Sequence, residues 1–393
     1  MSHTKLTMYG APWCSDCKRA KKFLGEQRIH YDWIDVEQDT DGLAFVEQVN
    51  NGKRIIPTIV FDDQSILVEP SNAELAAKLG LQTQAKLRYY DLICIGGGPA
   101  SLTAALYAAR EGLEVLVIER GGLGGQAGIT EKLDNFPGFP EGISGAEFAD
   151  RLTLQAQRFG VETLQAQEVI GLRAENESRY VKTADGVEYG ARTILIATGS
   201  TYKRLGVPGE EELIGAGVHF CATCDGPFYK KQHVAVIGGG NSTGEESLFL
   251  TRFAERVTML VRGPQLSASK IIIDKLNASQ VVDVRTNTEI VALSGESSRL
   301  SGITVRDRQS GSEETLHPAG VFVFIGLTPN SAWLPQEIQR DAAGFITTSA
   351  TLETSMPGVF AAGDVRLGST KQAASAAGEG ATAALMIREY LKR

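Results

Sequence analysis

Four of the five cysteines stand in two Cys-x-x-Cys pairs, Cys14/Cys17 and Cys221/Cys224. Sulfurs three residues apart at the start of a helix share a face and can bridge, and a thiolate at that helix end is favoured by the dipole. Each pair can therefore cycle between dithiol and disulfide. The same spacing also serves zinc, but a four-cysteine site would have to unite Cys17 with Cys221, 204 residues later, and His219 is the one histidine near either pair. No metal is expected. Cys94, inside the apolar run LICIG, reads as a small core residue. Pro57, in Ile56-Pro57-Thr58, suits a cis bond beside the first pair, and Asp225 directly follows the second.

The glycines point to a second chemistry. They are 43 of 393 residues and cluster at 96–98, 121–125 and 238–240, as tight phosphate loops do. Gly96 permits a turn, Gly98 lets backbone approach a pyrophosphate, and a helix opening at Pro99 and Ala100 points its N–H groups at that anion. Glu119, 23 residues after Gly96, can accept from ribose hydroxyls, which suits FAD. The pattern recurs at Gly238, Gly240, Asn241 and Ser242. Here Arg262, 24 residues after Gly238, replaces the acid, and a guanidinium can hold a 2′-phosphate, which suits NADPH. Ser101 and Thr243 occupy the third position, where Gly or Ala is usual.

The elements that must carry these residues follow from periodicity. Strand 4–9, a helix Cys14–Gly25, strand 31–36, helix 41–50, strands 58–61 and 65–68 and a helix 72–80 capped by Ser71 make an α/β unit of about 80 residues. Residues 81–89 read as a polar linker, at most ~35 Å long if extended. Strand 91–95, helix 99–111 and strand 114–118 then begin a nucleotide-type unit. The order repeats at 233–237, 241–254 and 256–261.

Composition removes other classes. The formal charge is −8, with no basic run, so nucleic acid is not an expected partner. No apolar run approaches the ~18–20 residues that cross a bilayer, and Met1–Tyr9 lacks the pattern of a secretory signal. The chain reads as cytoplasmic.

At these residues the sequence resembles two families joined. Residues 1–80, with WCSDC and IIPT, resemble glutaredoxin-like proteins, and EPSNAEL is closer to the mycoredoxin type. From about 90 the chain is similar to the low-molecular-weight thioredoxin reductases, through GGGPASLTAALYAAR, GGQ, NFPGFPEGI, ILIATGS, CATCDG, GGGNS, GVFAAGDV and KQAASAAGEGA. The resemblance implies an α/β architecture. A thioredoxin fold comes first, then an FAD domain over 90–204 and 331–393, interrupted by an NADPH domain over 205–330.

It also implies roles. Gly125 and Gln126, Asn135, Thr198 and Gly199 would line the FAD site, with Asp364, Gln372 and Ala373 along the ribityl chain and ring edge. Cys224 would lie next to the flavin, Cys221 would exchange with the acceptor, and Asp225 would be the acid for the leaving thiolate. Two positions depart from the families. Val261, Arg262, Gly263 and Ser267 stand where the reductases carry His-Arg-Arg and a further Arg, and Glu69-Pro70-Ser71-Asn72 replaces the Gly-Gly-x-Asp with which glutaredoxins hold glutathione.

The expected function is an NADPH-dependent flavoprotein disulfide reductase. Electrons would run from NADPH to FAD, to Cys221/Cys224, to Cys14/Cys17, and on to a protein or low-molecular-weight disulfide such as thioredoxin, glutathione disulfide or a peroxiredoxin. A carrier tethered by about ten residues has an effective concentration on the order of millimolar. The NADPH domain would rotate between two poses, and a homodimer would allow delivery between subunits. The alternatives are a peroxiredoxin reductase and, in another class, a redox-sensing or docking flavoprotein without turnover.

Overall fold

The computed structural model describes residues 6–27, 29–130, 133, 135–296 and 299–392, with the side chains of Thr223 and Cys224 left aside. The chain forms two compact units. One comprises 1–129, 146–199 and 331–393; the other comprises 130–145 and 200–330.

The first unit begins with β1 (Leu6–Gly10), α1 (Ser15–Glu26), β2 (Asp32–Asp35), α2 (Thr40–Val49), β3 (Thr58–Phe61), β4 (Ile66–Val68) and α3 (Asn72–Lys78). Its sheet runs β2-β1-β3-β4, with β1 and β2 parallel and the other pairs antiparallel. Period-two burial on β1 puts Leu6, Met8 and Gly10 inside, where Leu6 and Met8 join Phe23, Leu24, Val46, Ile59 and Leu75 in one core. Each helix starts on a side-chain cap. Cys14 Sγ, Asp39 and Ser71 accept from the N–H groups of Cys17, Gly42 and Glu74, and Ser71 with Glu74 closes a full capping box.

The same unit continues with β5 (Tyr89–Ile95), α4 (Pro99–Arg110), β6 (Val115–Ile118), α5 (Gly145–Arg158), β7 (Glu162–Leu164), β8 (Val169–Glu175), β9 (Ser178–Thr183) and β10 (Glu188–Ile196). The strands order as β7-β6-β5-β10-β9-β8, with Val359–Ala361 also parallel to β10. β6 is buried at every position because both faces of the parallel part are covered. On one face α4 meets the C-terminal helix Ala373–Leu391 so closely that a Cβ on Gly380 would stand 2.1 Å from the Ala100 carbonyl oxygen.

Residues 82–88, between the two sheets, are bonded to the flanking structure. Glu162 accepts from Gln82 Nε2 at 2.6 Å, Lys86 N–H at 2.7 Å and Tyr90 OH at 2.7 Å, while Gln165 N–H donates to Gln82 O at 2.9 Å. The strand begins at Tyr89, so the last residue of the segment read as linker is already sheet. The N-terminal portion also meets this body at the far end of α1. Gly122 N–H donates to Glu26 O at 2.6 Å, and Gln27 Nε2 donates to Arg120 O at 3.0 Å.

The second unit has a parallel sheet in the order Val218–His219, Gly320–Val323, His233–Ile237, Arg256–Leu260 and Val282–Arg285. A separate antiparallel sheet joins Thr288–Glu296, Arg299–Asp307 and Glu313–Leu316. The helix expected over 241–254 stops at Leu250, where the backbone breaks into a turn before Glu255.

Candidate functional site

Cys14 is the N-cap of α1, and its sulfur accepts from the Cys17 N–H at 3.1 Å and lies 3.6 Å from Ile56 O. Both thiols are free. Cys14 keeps 6% of its surface and Cys17 none, so both are buried and Cys14 lies nearer the surface. Burial and the hydrogen bond to Cys14 push the Cys17 thiol up to about 12. Gly10 must be glycine at this point, because a Cβ would lie 2.7 Å from both Cys17 Sγ and the Trp33 ring. The Ile56–Pro57 bond is cis, and Trp13 beside Cys14 is 65% exposed.

In the same unit, Gly96 (φ +100°) backs against Ala197 O, and a Cβ on Gly125 (φ +55°) would stand 3.1 Å from Gly98 Cα. Gly98 caps α4 without a side chain, and Pro99 opens the helix, so its first N–H groups are left for an anion. A Cβ on Gly98 would meet nothing within 4 Å. The Glu119 carboxylate accepts from Gly97 N–H at 2.5 Å and Gly121 N–H at 2.7 Å, which holds it at the mouth of the glycine turn. Gly363 (φ +75°) brings Asp364 to the same neighbourhood, with Ala100 Cβ 3.1 Å from where its own Cβ would be. Gln372 is the N-cap of the C-terminal helix and Ala373 its first residue, so that helix too begins without a side-chain cap.

Two further residues of this cluster, both inside the stretch KQAASAAGEGA, have roles that the sequence does not assign. Glu379 accepts from Gly363 N–H at 2.7 Å and takes both Arg366 Nε, at 3.1 Å, and Arg366 Nη2, at 2.7 Å, so it fixes the turn that carries Asp364. Lys371 Nζ donates to Asp364 O at 2.7 Å and lies 4.3 Å from the Phe345 ring centroid. Burial raises the Asp364 carboxyl, with Lys371 opposing, and burial lowers Lys371. Glu379 lies inside the stretch KQAASAAGEGA, but its role comes from facing a loop 16 residues back across a turn, which the stretch does not specify.

Thr198 and Gly199 (φ +66°) follow β10, and Gln126 lies in a 3-10 turn, Gly125–Ile129. Asn135 is exposed on the 130–145 segment, which belongs to the second unit, whereas the reading from sequence placed it with the FAD domain.

In the second unit, Gly238 (φ +135°) packs against Phe324 O, and Thr243 donates to that carbonyl at 3.0 Å, so a threonine at the third motif position has its hydroxyl satisfied. Gly240 caps Asn241–Leu250 without a side chain, Asn241 Oδ1 accepts from Ser269 N–H, and Ser242 and Arg262 are exposed. Cys221 is disulfide-bonded and precedes the single turn Ala222–Asp225. The side chain of Cys224 lies outside the described residues. His219 Nδ1 is 3.4 Å from Asp225 Oδ2, and His219 Nε2 is 2.6 Å from Tyr229 OH. In the sequence His219 stands out only as the one histidine near either cysteine pair. Among the described residues no group of three His, Cys, Asp or Glu could hold a metal ion, and no helix is long and apolar enough to cross a membrane.

Two nucleotide-type glycine turns, each opening an uncapped helix, together with one free thiol couple and one disulfide-bonded cysteine, define a flavin-type disulfide oxidoreductase. The chain belongs to the pyridine nucleotide-disulphide oxidoreductase family, whose pattern matches residues 90–380, and residues 6–66 match the glutaredoxin family. It is 40% identical over 302 residues to a thioredoxin reductase of Treponema pallidum, covering 77% of this chain and 97% of that one. It is 42% identical over 303 residues to a bifunctional thioredoxin reductase/thioredoxin of Mycobacterium leprae, covering 77% and 66%. The crystal structure of thioredoxin reductase from Streptococcus pyogenes matches at 38% identity with a TM-score of 0.74, covering 78% of this chain and 99% of that one. The protein is accordingly an oxidoreductase of the thioredoxin reductase type that uses FAD and NADPH, with a glutaredoxin domain in front. The uncapped α4 and the open space at Gly98 fit a dinucleotide phosphate, as the first unit requires.

Proposed function

We propose that the chain is a disulfide reductase carrying its own thiol shuttle, with 90–204 and 331–393 holding FAD and 205–330 holding NADPH. The observation that carries this is the pairing on one chain of a free thiol couple, Cys14 and Cys17, with a second redox cysteine, Cys221, in its disulfide form. When bound, the two cofactors supply the electron pair and proton that reduce the Cys221–Cys224 disulfide. Gly98, Pro99, Glu119, Gly125, Asp364 and the start of the C-terminal helix would hold the flavin nucleotide; Gly238, Gly240, Asn241 and Arg262 would hold the nicotinamide one.

The remaining steps are thiol exchange. A Cys221 thiolate attacks the Cys14–Cys17 disulfide and forms one mixed S–S bond. Cys224 then resolves it, so one couple is oxidised as the other gains two electrons and two protons. Asp225 supplies the proton to the departing thiolate. Cys14 next attacks the acceptor disulfide, one acceptor sulfur leaves as a thiol, and Cys17 closes on Cys14 to release the other. Exchange requires sulfurs in contact, so the couples must meet within one chain or across a homodimer. A protein disulfide is the favoured acceptor: a relative joins its reductase to a thioredoxin, and here Glu69-Pro70-Ser71-Asn72 stands where glutathione would be held.

The test is a pair of variants. Cys14→Ser is expected to keep flavin bleaching by NADPH while losing reduction of the acceptor through the glutaredoxin domain, and Cys224→Ser to lose all disulfide output. Full acceptor turnover by Cys14→Ser would show that Cys221 and Cys224 serve partners directly.

A further inference from the structure

Arg262 looks solitary in the sequence, with Val261, Gly263 and Ser267 at the neighbouring positions. The fold supplies a second guanidinium from 46 residues further on. Arg308, just after the strand Arg299–Asp307, donates from Nη1 to the Arg262 carbonyl oxygen at 3.2 Å. The backbone holds the two segments together independently of those side chains. Asn287 N–H donates to Gly263 O at 2.8 Å, Arg308 N–H to Asn287 O at 2.7 Å, and Thr288 N–H to Val261 O at 3.0 Å. Both arginines are exposed.

The Arg308 guanidinium lies against the Arg262 main chain, and two guanidiniums brought close repel unless an anion lies between them or acids neutralise them. The acid available to Arg308 is Glu289, 3.5 Å from its Nε, and Arg306 draws on the same carboxylate at 3.3 Å. Nη2 of Arg308 has no partner among the described contacts. Ser267 completes the edge: its N–H and its hydroxyl donate to Gly239 O at 2.8 and 3.1 Å, which seats it on the glycine turn of the same nucleotide unit. Guanidinium forks match phosphate oxygens in pairs, so this edge fits a phosphate monoester on the adenosine side of a nucleotide whose pyrophosphate faces the uncapped helix at Asn241.

We propose that Arg308 is a specificity-determining residue that, together with Arg262, holds the 2′-phosphate separating NADPH from NADH. The inference rests on the reading of 205–330 as the nicotinamide nucleotide domain.

Calorimetric titration of the FAD-loaded protein with NADP+, NAD+, adenosine 2′,5′-bisphosphate and AMP tests it without turnover. Arg308→Gln is expected to weaken NADP+ and the bisphosphate about tenfold while NAD+ and AMP stay within twofold, and Arg308→Lys to recover part of the loss. Arg262→Gln should behave alike. A wild-type preference for NADP+ that survives Arg308→Gln unchanged would overturn the role of Arg308 and leave the NADPH reading standing. Equal wild-type affinity for NADP+ and NAD+ would overturn both.

Discussion

The main-chain N–H of Cys17 donates to Cys14 Sγ across 3.1 Å, so the two thiols of the first couple are unequal before any substrate arrives. Cys14 sits at the surface end of the pair and Cys17 is closed off, with its thiol raised to about 12 by burial and the Cys14 contact. Iodoacetamide treatment of the reduced protein at pH 8 should label Cys14 and spare Cys17, and peptide mass spectrometry reads the ratio. Equal labelling would contradict the asymmetry. The sign for stability follows from the same shift: a folded value raised above the ordinary ~8.5 gives stability that is complete below it and lost as pH climbs toward 12. The reduced glutaredoxin domain should therefore melt earlier at pH 10 than at pH 8.

A methyl group on Gly380 would meet the Ala100 carbonyl oxygen at 2.1 Å, and backbone on both helices leaves no flexible partner to yield. Gly380→Ala should cost about 1–3 kcal/mol through overpacking and loosen FAD, because Ala100 lies in the first turn of α4. Thermal melts with and without added FAD measure both effects. An unchanged Tm would show that the helices separate freely.

Glu162 gathers Gln82, Lys86 and Tyr90 on one carboxylate. Glu162→Ala removes hydrogen bonds to a charged acceptor, each worth about 1.5–3 kcal/mol when fully formed and less at this exposed site. Trypsin should then cut after Lys86 or Arg88 several-fold faster, releasing the glutaredoxin domain on a gel. A cleavage rate equal to wild type would mean that the segment is held by other contacts.

His219 lies between Asp225 and Tyr229, at 3.4 Å from the carboxylate and 2.6 Å from the phenol. If Asp225 delivers the proton to the leaving thiolate, His219→Ser should slow acceptor reduction about tenfold, with flavin reduction by NADPH untouched. Stopped-flow absorbance separates the two steps. A uniform loss of both would mark His219 as merely structural.

The residues themselves determined the chemistry of this protein. Cysteine spacing, the glycine turns and the acid or arginine that follows each are local patterns, and local geometry is what a short stretch of chain can encode. The elements that carry them were legible for the same reason, since period-two and helical burial are set by near neighbours. What only the tertiary structure decided were pairings between distant segments. Glu379 holding Gly363, Arg308 reaching Arg262, and Glu162 pinning residues 82–86 each depend on the folded path of the chain, which no spacing announces. The position of 130–145 in the second unit, and the deeper burial of Cys17 than of Cys14, depend likewise on what packs against them, and packing is a property of the whole fold.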